Sequence, residues 1–139
     1  MQFDLDRFIT AQQGVYGNVL RELRAGHKAS HWMWFIFPQL AALGRSEASR
    51  FYGVASLGEA RAYLAHPLLG SRLRECTALV NEHAGTPASV ILGHVDALKF
   101  RSSMTLFAAA AADGTLFSAA LDSFYDGLPD QATLDLLHQ

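Results

Sequence analysis

Asp96, Lys99 and Ser103 follow one another at intervals of three and four residues. On a helix each residue turns by about 100°, so the three fall within about 60° of one another on a stripe shared with Phe107, while Phe100, Met104 and Ala108 form the adjoining core face. A carboxylate, an amine and a hydroxyl a turn apart can position a phosphate or a hydroxylated ligand, and Asp96 can activate a water for hydrolysis. The same residues also make a capping aspartate with an i,i+3 ion pair and a serine on a helix face. Lysine occurs only as Lys28 and Lys99, against nine arginines. A slender point charge therefore stands out in a sequence that otherwise uses the planar guanidinium.

A second concentration of chemistry is the run His31-Trp32-Met33-Trp34-Phe35-Ile36-Phe37-Pro38-Gln39, which holds both tryptophans of the chain. Aromatic rings bury large areas and an indole N–H leaving water needs a partner, so this block is either the centre of a core or the wall of a pocket. In the pocket reading Trp32 or Trp34 stacks a flat ring, His31 hydrogen-bonds the ligand, and Lys28 and Gln39 contact it from either end of the block. Gln12 lies in the middle of an apolar stripe with Tyr16 one turn on, and a buried amide needs partners. Glu22 joins Asp96 as a candidate catalytic carboxylate. Glu59, the other candidate, already has a capping role at the start of its helix.

The elements that must position these groups read as short helices with abrupt punctuation. Leu5, Phe8, Ile9, Val15, Tyr16, Val19, Leu20 and Leu23 recur at helical spacing, Asp4 is placed to cap the start and Gly26 to end it. The aromatic block reads as helix, capped by Ser30 and ended by Pro38, because no second segment alternates so as to pair with it as a strand. Ser46 caps a helix over 47–53, and Ser56 to Glu59 has capping-box spacing ahead of a helix that stops near His66. Pro67 suits the first turn of the next, and Thr86-Pro87 opens another over 87–93. Asp96 caps a long helix through Ala112. Two more follow, over 116–125 and from Asp130 onward. These signals predict an all-α fold, a compact irregular orthogonal assembly of about six to eight short helices forming a single domain over 1–139.

Composition narrows the function classes. Half of the 139 residues are hydrophobic, enough for a core without metal or disulfide. The net charge is −2 and the basic residues are scattered apart from Arg21, Arg24, His27 and Lys28, which suit a helix C-terminus better than a nucleic-acid face, so long nucleic acid is not an expected partner. The acidic N-terminal segment does not read as a signal peptide, and no apolar run approaches the ~18 residues of a membrane helix. Cys76, the one cysteine, reads as a small buried hydrophobe, and a cytoplasmic setting is expected. The histidines lack metal-ligand spacing, so no metal or cofactor is expected, and there is no nucleophile elbow, glycine-rich phosphate loop or cysteine pair. The oligomeric state has no signature.

Several segments carry a resemblance: Asp4-Leu5-Asp6-Arg7-Phe8, Ala11-Gln12, Tyr16, Lys28 through Gln39, Glu59-Ala60, Tyr63-Leu64, His66 through Leu73, Asp96, Lys99 and Ser102 through Phe107. In these the chain resembles an uncharacterised, mostly bacterial family of about this length that is often mislabelled calpastatin. The resemblance covers Asp4 to nearly the end and implies an all-helical fold with no catalytic residues to carry over. The calpastatin label implies nothing physical, since that inhibitor is a long disordered chain. In Ala11-Gln12 and in Asp96 to Lys99 the sequence is also similar to the helical family that hydrolyses N-glycosidic bonds of riboflavin intermediates and ADP-ribose adducts, an analogy that transfers no active site. The resulting expectation is a small-molecule pocket for a nucleotide- or ADP-ribose-like ligand, lined by Gln12, Tyr16, Lys28, His31, Trp32, Trp34, Gln39, Lys99 and Ser103, with Asp96 or Glu22 as the catalytic group of a possible N-glycosidic hydrolase. The alternative is a non-catalytic interaction or ligand-sensing module.

Overall fold

The computed structural model describes residues 3–139 and is all-helical. Its ten α-helices are α1 (Asp6–Gln12), α2 (Tyr16–Ala25), α3 (Met33–Ile36), α4 (Glu47–Phe51), α5 (Leu57–Ala65), α6 (Pro67–Asn81), α7 (Ala88–Leu92), α8 (His94–Ala110), α9 (Thr115–Tyr125) and α10 (Gln131–Leu137), with a 3₁₀ turn at Ala41–Leu43. The count exceeds the expected six to eight: a break divides the first periodic segment, and the aromatic block, 47–53 and 87–93 each form a separate helix of little more than one turn. The break falls at Gly14, whose φ of +76° lies in the left-handed region that ends a helix. Residues 5–23 are therefore two helices, and Asp4 caps neither of them.

Long α8 lies at the centre of the packing, against α5, α7, α9 and α10, while α6 packs against α2, α5 and α9. Every residue from Ser102 to Phe107 is buried. Aromatic contacts cross this core: Phe8 meets Tyr63 edge-on at 5.0 Å, Tyr63 lies 5.5 Å from Phe107, and Phe37 meets Phe100 edge-on at 4.9 Å. Trp32, Met33, Phe35, Ile36 and Phe37 belong to the core, so most of the aromatic block is packing; Trp34 is only partly buried. Ser30 does not cap α3, and the backbone beyond Pro38 makes an isolated parallel bridge between Leu40 and Val54.

Side-chain caps form at three of the expected helix starts, whereas Thr86 does not cap α7, where Pro87 holds the cap position without a side-chain bond. The Ser46 and Ser49 side chains form a reciprocal box at α4, Ser56 accepts from the Glu59 N–H at α5, and Asp130 accepts from the Thr133 N–H at α10. The Glu59 side chain does not complete a capping box with the Ser56 N–H. Its buried carboxylate accepts from the Ala55 N–H at 2.6 Å and pairs with Arg7 at 3.1 Å, while Arg7 also donates to the Phe51 and Gly53 carbonyls, so one ion pair ties α1 to the segment before α5. Asp96 does not cap α8. Gly93 occupies that position, and Asp96 stands in the first turn, where its charge suits the positive helix end.

Candidate functional site

α2 carries Glu22 to the loop 26–32. The Glu22 carboxylate accepts four hydrogen bonds from it: the Ala29 N–H at 2.6 Å, the Ser30 N–H at 3.0 Å, the Ser30 hydroxyl at 2.6 Å and the Trp32 indole N–H at 2.9 Å. Partial burial works against the charge, but the bonds from Ser30, Ala29 and Trp32 outweigh it and hold the carboxyl down to about 2. A carboxylate occupied by four donors clamps a loop and sets the plane of Trp32. His31, inside that loop, is exposed.

The clamped loop delivers Lys28 to α8. The Lys28 N–H donates to the Ile91 carbonyl at 2.7 Å, and its ammonium meets Asp96 Oδ2 at 2.8 Å. Lys99 Nζ lies 3.7 Å from Asp96 Oδ1, so one carboxylate stands between two ammonium groups. Each ammonium also lies over an indole: Lys28 Nζ is 5.2 Å from the Trp32 ring centre and Lys99 Nζ 5.4 Å from that of Trp34, within cation–π range. Asp96, Lys28, Lys99 and both tryptophans thus form one assembly, supported from behind by Glu22.

Lys99 also faces a cleft of about 530 Å³ between the first half of α8, residues 39–49 and the start of α10. Its polar wall holds Gln39, Lys99, Arg45, Ser46, Ser49, Ser102 and Asp130; Val95, Leu98, Leu43 and Ala132 supply apolar surface. Of the residues expected from sequence, Lys99 and Gln39 line it. Arg45 and Asp130 were not expected there. Ser102, three residues beyond Lys99 on α8, points to that wall in hindsight, since it bonds Asp130 at 3.1 Å; Arg45 has no local signal at all.

Two buried polar atoms near Lys99 lack a partner: the Trp34 indole nitrogen and the Ser103 hydroxyl, Ser103 itself being fully buried. Among the described residues the third such atom is Asn81 Oδ1, on α6. An unpartnered buried group costs about 1–3 kcal/mol. Trp34 lies beneath the Lys99 ammonium and Ser103 one turn beyond Lys99 on the same helix, so both orphans flank the cationic residue of the cleft.

Gln12 and Tyr16 belong to a separate network. The Gln12 amide, 1 % exposed, donates to the Phe35 carbonyl at 2.8 Å and to the Tyr63 hydroxyl at 3.4 Å, and its oxygen accepts from Arg72 at 3.1 Å. The Arg72 guanidinium lies 4.3 Å from the Tyr16 ring centre, and the Tyr16 hydroxyl donates to Glu75 and accepts from the Cys76 thiol. Burial drives the Tyr16 and Tyr63 hydroxyls above the usual tyrosine range and pushes the Cys76 thiol up to about 12, which leaves it a protonated packing group. Gln12 and Lys99 share no hydrogen-bond or ion-pair partner. Among the described residues no three His, Cys, Asp or Glu side chains gather where a metal ion could sit.

The family model described as "Protein of unknown function (DUF1810)" matches residues 2–137, in agreement with the resemblance read from the sequence. No curated protein matches the chain. The crystal structure of the conserved hypothetical protein Rv1873 from Mycobacterium tuberculosis is similar over 99% of this chain and 98% of that one, with 52% identity and a TM-score of 0.96.

Proposed function

We propose a function on the premise that the chain belongs to the DUF1810 family, whose description assigns no activity: it binds a small nucleotide- or ADP-ribose-like molecule in the cleft beside α8. The observation that carries this reading is Lys99, a partly exposed ammonium that faces a cleft of ligand size while lying on an indole. Gln39, Arg45 and Ser46 offer further polar contacts there, and Val95, Leu98 and Leu43 an apolar bed. The cations suit a phosphorylated small molecule, whereas a chain of net charge −2 suits long nucleic acid poorly.

Binding is better supported than hydrolysis. Each Asp96 oxygen faces an ammonium group, the arrangement of an ion pair rather than of a base presented to a water, and Glu22 is spent on its loop. Within this reading Asp96 and Glu22 are positioning residues, while Gln12 and Tyr16 act on the cleft only through the fold. The same reading takes residues 1–139 as one irregular, orthogonally packed helical domain working in the cytoplasm, and leaves a ligand-sensing role open to it without turnover.

The test is a thermal-shift and tryptophan-quenching screen of adenosine nucleotides and ADP-ribose derivatives. A ligand from this set should bind the wild type, and Lys99→Met, folded to the same helical content, should weaken it at least about tenfold. Unchanged affinity would remove Lys99 from the site. Release of free base from the bound ligand, followed by chromatography, would restore the hydrolase reading.

A further inference from the structure

We infer that the cleft reads the sugar of its ligand: Asp130 accepts from a hydroxyl of a ribose ring whose phosphate is held by Lys99 and Arg45, so that a ribonucleotide binds in preference to its deoxy form. The inference rests on the small-molecule reading of the cleft and adds to it which part of the ligand Asp130 selects. All three residues line the cleft, two cations against one carboxylate. Asp130 is held in place between α8 and α10. Its N–H donates to the Thr105 hydroxyl at 2.8 Å, and its Oδ2 accepts from the Thr133 N–H at 3.1 Å, the Thr133 hydroxyl at 2.6 Å and the Ser102 hydroxyl at 3.1 Å. Oδ1 takes none of these bonds. Among the described residues it has no partner, and it is not one of the buried atoms left without one, so solvent reaches it. A carboxylate oxygen only accepts, so what it can take from a ligand is a hydroxyl or an amine. The positive balance of the cleft lining disfavours an ammonium, which leaves the hydroxyl.

The contrast with the other two candidate carboxylates supports this. Both Asp96 oxygens face ammonium groups and both Glu22 oxygens take donors of the loop 26–32, whereas Asp130 enters no ion pair among the described residues. Asp130 is the one of the three that stands at the cleft with an oxygen to spare. The cations are available too. Arg45 forms no ion pair among the described residues, and Lys99 touches Asp96 only at 3.7 Å while Lys28 holds the other oxygen at 2.8 Å, so Lys99 can turn to the cleft and leave Asp96 paired. Lys99 and Ser102, which bonds Asp130, are three residues apart on α8, about 4.5 Å along its axis. The phosphate and the sugar hydroxyls of one nucleotide can span such a separation.

Calorimetric titration of the wild type with adenosine 5′-monophosphate and with its 2′-deoxy and 3′-deoxy forms should show at least one deoxy form bound about tenfold more weakly, and that form names the hydroxyl. Asp130→Asn separates this role from the cap of α10. With its amide oxygen at the Oδ2 position, asparagine still accepts from Thr133 and Ser102, while its NH₂ replaces the free acceptor by a donor. In that variant the preference for the ribo form should vanish, and because all three nucleotides carry the same phosphate, their ratio is free of the charge the substitution removes. Arg45→Met should weaken all three alike, about tenfold; unchanged affinity would remove Arg45 from the phosphate. If the three bind the wild type equally, or if the ribo preference survives in Asp130→Asn, the sugar role is overturned and the cleft reading stands. If none of the three binds, the sugar role falls, and the ADP-ribose derivatives of the screen decide the cleft reading by themselves.

Discussion

Arg72 over Tyr16 and Lys99 over Trp34 are two versions of one arrangement, a cation laid on an aromatic ring where helices meet, and they end differently. Around Arg72 the polar atoms close on one another: Gln12 bonds Phe35, Tyr63 and Arg72, and Tyr16 bonds Glu75. Around Lys99 a carboxylate is shared between two lysines, two buried atoms have no partner, and a cleft stands open beside them. A planar fork that satisfies several acceptors builds structure, whereas a point charge on a flexible stem leaves room for a guest. Saturation of polar groups thus separates the part of the molecule that holds it together from the part free to bind.

The comparison breaks most visibly at Gln12. Gln12→Ala takes a partner from the Arg72 guanidinium, leaves the Phe35 carbonyl and the Tyr63 hydroxyl with only each other, and opens a cavity, so urea denaturation should show a loss of about 3 kcal/mol. A loss under about 1 kcal/mol would mean that the network is ornament rather than structure.

A smaller effect belongs to Glu22, the support of the open side. Its carboxyl is held at about 2 against a usual 4.5, so the folded state prefers the charged form. That stability is complete above pH 4.5 and is lost as the pH falls toward 2. With solvent screening it amounts to about 1–2 kcal/mol. The melting temperatures of wild type and Glu22→Gln should differ at pH 7 and converge below pH 3; parallel curves would show that the four bonds to Glu22 do not persist in solution.

The smallest effect sharpens the comparison from the other end. Ser103→Ala removes a buried hydroxyl that bonds nothing, so stability should not fall and should rise by about 1 kcal/mol as that desolvation cost is relieved. A loss near 2 kcal/mol would mean that Ser103 has a protein partner and that the site is as closed as the Gln12 network.

These regions differ also in how far the sequence discloses them. Helix starts at Ser46, Ser56, Pro67 and Asp130 are legible because a cap acts within three residues of itself. Gln12 is legible as a polar residue on an apolar stripe, but its partners are not, since Phe35, Tyr63 and Arg72 stand 23, 51 and 60 residues away. Asp96 has the local features of a cap, yet a distant Lys28 takes its carboxylate while Gly93 holds the cap position. Lys99 and Gln39 could be picked out by type and position; Arg45 reaches the cleft by tertiary placement alone. What is local in the physics is visible in the chain, and pairing across the fold is not.

The join between α1 and α2 has a consequence for chirality. Gly14 sits at φ +76° with nothing within 4 Å of the place a Cβ would occupy, so the position is indifferent to volume and sensitive only to handedness. An L-residue there is forced into a left-handed backbone that its own Cβ disfavours, whereas a D-residue finds that conformation natural. D-Alanine, introduced at residue 14 by chemical synthesis, would meet no steric obstacle and would restrict the unfolded chain, making this turn a point where the mirror-image amino acid fits the protein better than the natural one.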